Sequence, residues 1–343
     1  MSDTDDRLRL TAIFETLPFP KSDDRLPAFS TFVLESGPHR IGKDIHGAPA
    51  LLVSTASTGL RSRPAPIELE HVQVMYQVGC LLWHSPASSE EATFTLVRCR
   101  SADGPLREYF LNVVEGILPL LGSSPPEERV REIVDAIAEL FRSLMMPPKK
   151  SVQGLWAELF LMAEAADSRA LAAAWHVAPG EPYDFSASTQ RIEVKSAAGQ
   201  EREHHFTLVQ LHPPRGARLV VASVFAEGAG GGVSLGELLD RVRARVGREP
   251  DLLLRIEQVV AASLGQSWRK ALDHRFDWER AQDSMLFYDA GSIPSIDPTL
   301  PTGVSDVRFM SDLTNATPIQ PSILRAFSGL FQAMLPSRLA SRS

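Results

Sequence analysis

The chain has 343 residues, 44% hydrophobic and 22% charged, and a formal net charge of −7. Such a composition can bury a sizeable core and excludes wholesale disorder, while the length predicts two or three domains. The acidic balance excludes a protein that coats nucleic acid by bulk electrostatics, although a local cluster of Lys and Arg would still hold phosphate.

The first residues, MSDTDDRLRL, are acidic and polar where a secretory leader needs a basic start and an apolar stretch. No apolar run approaches the ~20 residues that span a bilayer. The expectation is a cytoplasmic protein with no membrane association. Cys80 and Cys99 fall in strand-like apolar segments and read as buried free thiols. His39, His46 and His71 lack ligand spacing, so structural zinc is not expected. The Asn315-Ala316-Thr317 triplet is a chance glycosylation match.

In chain order, TFVLES, PALLVSTA, HVQVMYQVGCLLW and ATFTLVRCRS are strands separated by Gly, Pro and Ser clusters, and a helix at EYFLNVVEGILPLL closes the region near Gly122. The next helix carries a capping box from Ser124 to Glu127 and stops at Pro147-Pro148, with Val130, Ile133, Val134, Ile137, Phe141, Leu144 and Met145 as its apolar stripe. Ser151 caps a further helix, SVQGLWAELFLMAEAA. Short strands YDFSA, RIEVKS and EHHFT follow, then LVQL, the strand RLVVASVF, a GAGGG turn and the amphipathic helix VSLGELLDRVRARV. The remainder is mixed, with a helix at LLRIEQVVAASLG, a strand at SMLFYDA and a C-terminal amphipathic helix through Ile323, Leu324, Phe327, Leu330, Phe331, Met334 and Leu335. This order predicts an α+β (mixed α/β) protein in three regions: a β-rich domain over 1–122, a core over 123–250 and a mixed region over 251–343.

The chemistry lies in the middle region. In Ile192-Glu193-Val194-Lys195, strand alternation puts Glu193 and Lys195 on one face, ~7 Å apart, with Ile192 and Val194 toward the core. Asp184 faces away from Tyr183 and Phe185 on a second strand. If the strands are neighbours, Asp184 and Glu193 converge on one cation with Lys195 beside it, as a hard divalent ion requires. Glu158 falls in the stripe Leu155, Glu158, Leu159 and Met162, where an unpaired carboxylate costs several kcal/mol. A metal or Lys195 would meet it, or it reaches water at the edge of the stripe. The bare pattern of an acid before Glu-x-Lys arises by chance on the order of once in a chain this long. A solvated strand face with a cross-strand ion pair is therefore the competing reading.

GLWAELFLM, EPYDF, RIEVKS, HHFTLVQL and RLVVASV together resemble the PD-(D/E)XK superfamily, in a prokaryotic branch without an assigned activity. The resemblance implies a restriction-endonuclease-like core, a small mixed sheet flanked by helices. It also implies a metal-dependent DNA endonuclease in which Asp184, Glu193 and Glu158 bind Mg²⁺ or Mn²⁺, Lys195 assists the attacking water and Gln210 supports the lysine or the phosphate. Pro182 is separated from Asp184 by Tyr183, a departure that affects only a backbone bend. The branch resembles accessory nucleases of prokaryotic defence clusters, which implies restriction of foreign DNA (phage defence), other defence proteins as partners and room for a homodimer. The alternative is a catalytically inactive scaffold or interaction subunit of a multiprotein defence complex.

Other polar clusters read as surface. His204 and His205 alternate sides of a strand. Arg241, Arg243, Arg245 and Arg248 form a solvated face, with phosphate contact as the minority reading and Arg61 with Arg63 as a second such candidate. Arg325, Arg338 and Arg342 make a mildly basic tail.

Overall fold

A computed structural model describes residues 10–23, 25–35, 37–55, 64–85, 87–176 and 180–340. Arg61, Arg63 and Arg342 lie outside them. Among the described residues no helix is long and apolar enough to cross a membrane. The chain is mixed α/β and divides into two compact units, Met1–Ser143 and Leu144–Ser343.

The first unit holds α1 (Leu10–Thr16), β1 (Ala28–Val33), β2 (Arg40–Asp44), β3 (Pro49–Val53), β4 (Ile67–Glu68), β5 (Val72–Ser85), β6 (Ser88–Cys99), α2 (Gly104–Leu121) and α3 (Glu127–Ser143). The strands run β1-β2-β3-β6-β5-β4, and β1 also pairs parallel with β5, so the sheet closes on itself like a barrel. Closure removes edges that would otherwise present unpaired backbone groups. Phe29, Ala50, Leu52, Cys80, Leu82, Phe94 and Leu96 fill the interior. Cys80 and Cys99 are buried free thiols, as expected.

The boundary after this β-rich unit differs from the sequence expectation. The buried stripe of α3, from Val130 to Phe141, packs on α2 and β5, with Phe110 and Phe141 ring centroids 5.9 Å apart. The helix assigned to the middle region therefore belongs to the first unit, and the division falls after Ser143.

The second unit runs α4 (Val152–Glu164), α5 (Ser168–Ala174), β7 (Phe185–Ala187), β8 (Gln190–Ala197), β9 (Glu203–Thr207), α6 (Leu208–Leu211), β10 (Arg218–Phe225), β11 (Gly228–Ser234) and α7 (Leu235–Val246). It continues with α8 (Pro250–Leu264), α9 (Trp268–Leu272), β12 (Arg275–Phe276), α10 (Trp278–Ser284), β13 (Leu286–Asp289), β14 (Arg308–Asp312), α11 (Pro321–Arg325), α12 (Leu330–Ala333) and α13 (Ser337–Ala340). Its central sheet has the order β13-β10-β8-β7: β8 and β10 are parallel, and both outer strands are antiparallel to their neighbours. Ile192, Val194, Val220, Ala222 and Val224 pack against α4, α5, α7 and α8. Leu219 and Val221 instead join Phe206 of β9, Leu211 of α6 and Leu313 in a second cluster. A mixed sheet with flanking helices agrees in general terms with the core that the resemblance implies.

Residues 251–343 form no separate region. β13 pairs with β10, β14 pairs with β9, and Leu324, Leu330, Phe331, Met334 and Leu335 enter the core, with α12 against α5 and β8. Their apolar stripe is broken into short helices at Gly329, which takes φ +72, and Gln190 of β8 meets the backbone on either side: its Nε2 donates to Ser328 O at 2.9 Å and its Oε1 accepts from Phe331 N at 3.1 Å. A single C-terminal helix would need those groups for its own ladder. The GAGGG segment is strand β11, not a turn. It lies so close to β12 that a Cβ at Gly232 would come within 2.1 Å of Phe276 O.

One contact places the segment ahead of α4. Gly265 ends α8 at φ +50, and its missing Cβ would meet Met146 O at 2.0 Å. The neighbouring Gln266 N donates to Met146 O at 2.9 Å, while Lys149 N and Lys150 N both donate to Ser263 O, at 2.9 and 3.3 Å. Gly265→Ala should destabilise the chain by about 1–3 kcal/mol from backbone strain alone, before the clash is counted. Urea unfolding would read it as a lower midpoint with an unchanged slope.

Candidate functional site

Ser151 caps α4, its side chain accepting from Gly154 N at 3.0 Å, and that start fixes the phase of the helix. Glu158 consequently lies among Leu155, Leu159 and Met162, all fully buried, and is itself only 3% exposed. It does not reach water at the edge of the stripe. Its Oε1 accepts from Lys150 Nζ at 2.6 Å and its Oε2 from Trp175 Nε1 at 2.7 Å. The cation that meets Glu158 is therefore Lys150, not Lys195.

Asp184 occupies the bend just before β7 and not the strand. Tyr183 and Phe185 point into different apolar clusters, so simple alternation does not describe the segment. Asp184 Oδ2 accepts from Val194 N at 2.8 Å, tying the bend to β8, and Oδ1 accepts from the same Lys150 Nζ at 2.8 Å. The ammonium thus bridges the helix and the bend.

Glu193 and Lys195 share one face of β8, in register with Val221 and Ser223 of β10, as the alternation predicts. Lys195 Nζ lies 2.7 Å from Glu193 Oε1 and 4.8 Å from the Phe206 ring centroid. Gln210 completes this half: Nε2 donates to Glu193 Oε1 at 2.6 Å and to Pro182 O at 3.1 Å, and Oε1 accepts from Lys195 Nζ at 3.3 Å. A capping box between Thr207 and Gln210 orients the amide. Gln210 thus touches both Glu193 and Lys195.

All of these residues lie around one place, and Lys150, Glu158, Asp184, Glu193 and Gln210 line a cleft of about 400 Å³ with Lys149 and His176. Burial and the Asp184 carboxylate push Glu158 up to about 8, against the pull of Lys150 and the hydrogen bonds from Lys150 and Trp175. Burial and Asp184 likewise push Glu193 up to about 8, against Lys195 and Lys150. For Asp184 burial also acts upward, yet Lys150, the Val194 amide and Lys195 outweigh it and hold the carboxyl below its ordinary value. Burial pulls Lys150 down, but Asp184 and Glu158 keep it above an ordinary lysine. The site favours positive charge and protons throughout.

Whether these side chains suit a divalent ion follows from their oxygens. Five of the six carboxylate oxygens accept from a protein donor or pair with an ammonium. Glu193 Oε2 is buried without a partner among the described residues. Among the described residues no group of three His, Cys, Asp or Glu is placed to hold a metal ion. As arranged, the residues do not fit Mg²⁺, because Lys150 occupies the oxygens of Glu158 and Asp184 that an ion would need.

The remaining polar candidates divide between buried and exposed positions. His204 is buried, its Nε2 2.8 Å from Ser223 Oγ, while His205 is exposed. Arg243 pairs with Asp240 and Glu257, Arg245 bonds Ser168 and Ala165, and Arg241 lies over the Trp278 ring. Sequence reasoning missed Lys150 and Trp175. The signal available was the unpaired Glu158 itself, which requires a cation without naming it.

A family model described as "Putative PD-(D/E)XK family member, (DUF4420)" matches residues 10–314, which takes in most of both units. No curated protein and no solved structure matches the chain.

The raised carboxyls give a pH signature. Between the ordinary glutamate value of 4.5 and about 8, the folded chain retains protons on Glu158 and Glu193 that the unfolded chain has released. The folded state binds more protons there, so stability falls as pH rises through that window and levels off above it. Asp184 acts oppositely, and its contribution is lost as pH falls below about 3.8. Thermal midpoints across the window should decline in the wild type and decline less in Glu193→Gln. A flat wild-type profile would contradict this electrostatic account.

Proposed function

We propose, from the premise that the chain belongs to the PD-(D/E)XK family DUF4420, that its second unit is a restriction-endonuclease-like core retained as a scaffold or interaction subunit rather than as a metal-dependent endonuclease. The observation that carries this reading is the Lys150 ammonium, 2.6 Å from Glu158 and 2.8 Å from Asp184. Mg²⁺ demands near-octahedral oxygen coordination at about 2.0–2.1 Å. An ammonium on two of those oxygens supplies the positive charge and repels a second cation. Five of the six carboxylate oxygens are then paired without a metal. By the family resemblance, its partners would be other proteins of a prokaryotic defence complex in the cytoplasm.

One observation favours the endonuclease reading instead. Glu193 Oε2 is buried, unpartnered and beside the cleft, which is where a cation would add to the site. On that reading Asp184, Glu193 and Glu158 would hold Mg²⁺ or Mn²⁺, with Lys195 and Gln210 beside a DNA phosphodiester.

Cleavage assays on plasmid and linear DNA with Mg²⁺ or Mn²⁺ separate the two. The scaffold reading expects no hydrolysis by the wild type above that of Glu193→Ala or Lys195→Ala, and no saturable heat on titration with either ion. Metal-dependent cleavage that both substitutions abolish, or a binding isotherm lost in Asp184→Asn, would establish the endonuclease and discard the scaffold.

A further inference from the structure

The outer strands of the central sheet are covered. Beyond β13, Phe287 O accepts from Ile319 N at 2.7 Å, and Phe185 of β7 bridges to Trp175. β14 is different. It pairs with β9 in an unbroken antiparallel register, from Arg308 opposite Thr207 to Asp312 opposite Glu203. Leu208 N donates to Val307 O at 2.9 Å and Leu313 N to Arg202 O at 3.0 Å, so by strand alternation residues 307, 309, 311 and 313 bond toward β9. Arg308, Met310 and Asp312 therefore turn their N–H and C=O groups outward. Among the described residues no strand pairs with that side.

The side chains of the same three residues are exposed, Met310 at 55%. Proteins blunt an open edge with a proline, a lysine or a bulge, and the sequence RFMSD has none of them. Its charges are also polarised along the strand. At one end Asp312 stands opposite Glu203, a like-charged pair that repels. At the other end Arg308 Nη2 lies 3.3 Å from Asp306 Oδ2, with both side chains at least 70% exposed, where water weakens the pair.

A second β14 laid antiparallel on the open edge, with a two-fold axis at Met310, answers both features. Each Met310 would exchange backbone hydrogen bonds with the other, and each Arg308 would stand opposite the second copy's Asp312, relieving the repulsion from Glu203. Neighbouring registers lose this match. Centred on Phe309, the pairing sets Arg308 against Met310 and Asp312 against Asp306; centred on Ser311, it sets Arg308 against Thr314.

We infer that β14 is a self-complementary edge through which two copies of this chain form a two-fold dimer, joining their ribbons of β9 and β14 into one continuous sheet. A strand of five residues makes a small contact, so the dimer forms reversibly with concentration. The inference concerns a different surface from the cleft and goes beyond the scaffold reading without depending on it.

Sedimentation velocity of the full chain, from about 1 to about 200 µM, should show the average mass rising from one chain toward two. Arg308→Glu and Asp312→Arg should each weaken the dimer at least about tenfold. Their equimolar mixture should dimerise again, because an all-acidic edge then meets an all-basic one. Should Asp312→Arg fail to fold for want of the acceptor that Asp312 Oδ1 gives Thr314 N at 2.8 Å, Asp312→Asn keeps an acceptor there and should still weaken the dimer. A wild type that stays monomeric throughout overturns the inference and leaves the edge to a strand of another protein. A dimer that neither Arg308→Glu nor the Asp312 substitution weakens, or a mixture that stays monomeric, overturns it too. None of these results bears on DNA cleavage, which decides the scaffold reading separately.

Discussion

Three carboxylates drawn out of water into one place are the constraint around which the second unit is arranged. Burial raises the cost of ionising all three, and the Asp184 carboxylate adds to it for Glu158 and Glu193. The chain meets that demand with two ammonium groups from different parts of the sequence. Lys150 serves the helix and the bend, and Lys195 serves the strand with Gln210 beside it. Asp184 is the hinge between the halves, since one oxygen meets Lys150 and the other meets the backbone of β8.

The surrounding fold follows from holding those groups still. One face of the sheet carries Ile192 and Val194 into the helical core, and the opposite face carries Glu193 and Lys195 toward the β9 layer. The link that bears Lys150 is set by the end of α8, where Gly265 lets Met146 approach. The family match spans most of both units, so it takes in the closed N-terminal sheet as well as the second unit.

Much of this was legible in the sequence. Ser151 marks the start of α4, and strand period alone places Glu193 and Lys195 together against Ile192 and Val194. The apolar stripe around Glu158 correctly required a cation. It could not identify Lys150, because local spacing relates residues on a common element and Lys150 precedes the helix cap. Along a helix, eight residues would span about 12 Å; only the path of the link brings the ammonium back over Glu158. Trp175 was hidden for a similar reason, being a stacked partner of Phe185 whose indole N–H happens to face Glu158. The C-terminal stripe misled in the other direction. Most of its apolar positions are buried, though Ile323 is exposed, and the chain breaks at Gly329, which takes φ +72, with Gln190 of β8 bonding the backbone on either side. The Gly-rich segment β11 read as a turn because nothing local shows that its lack of side chains serves a close strand pairing.

The central claim is that a protein ammonium, and not a metal ion, holds Glu158 and Asp184 together. A crystal structure of the wild type grown in MnCl₂, with anomalous scattering collected near the manganese edge, tests it most directly. The account expects Lys150 Nζ between the two carboxylates and no anomalous density there. A manganese peak on Asp184 and Glu193 with Lys150 swung out of the cleft would contradict it.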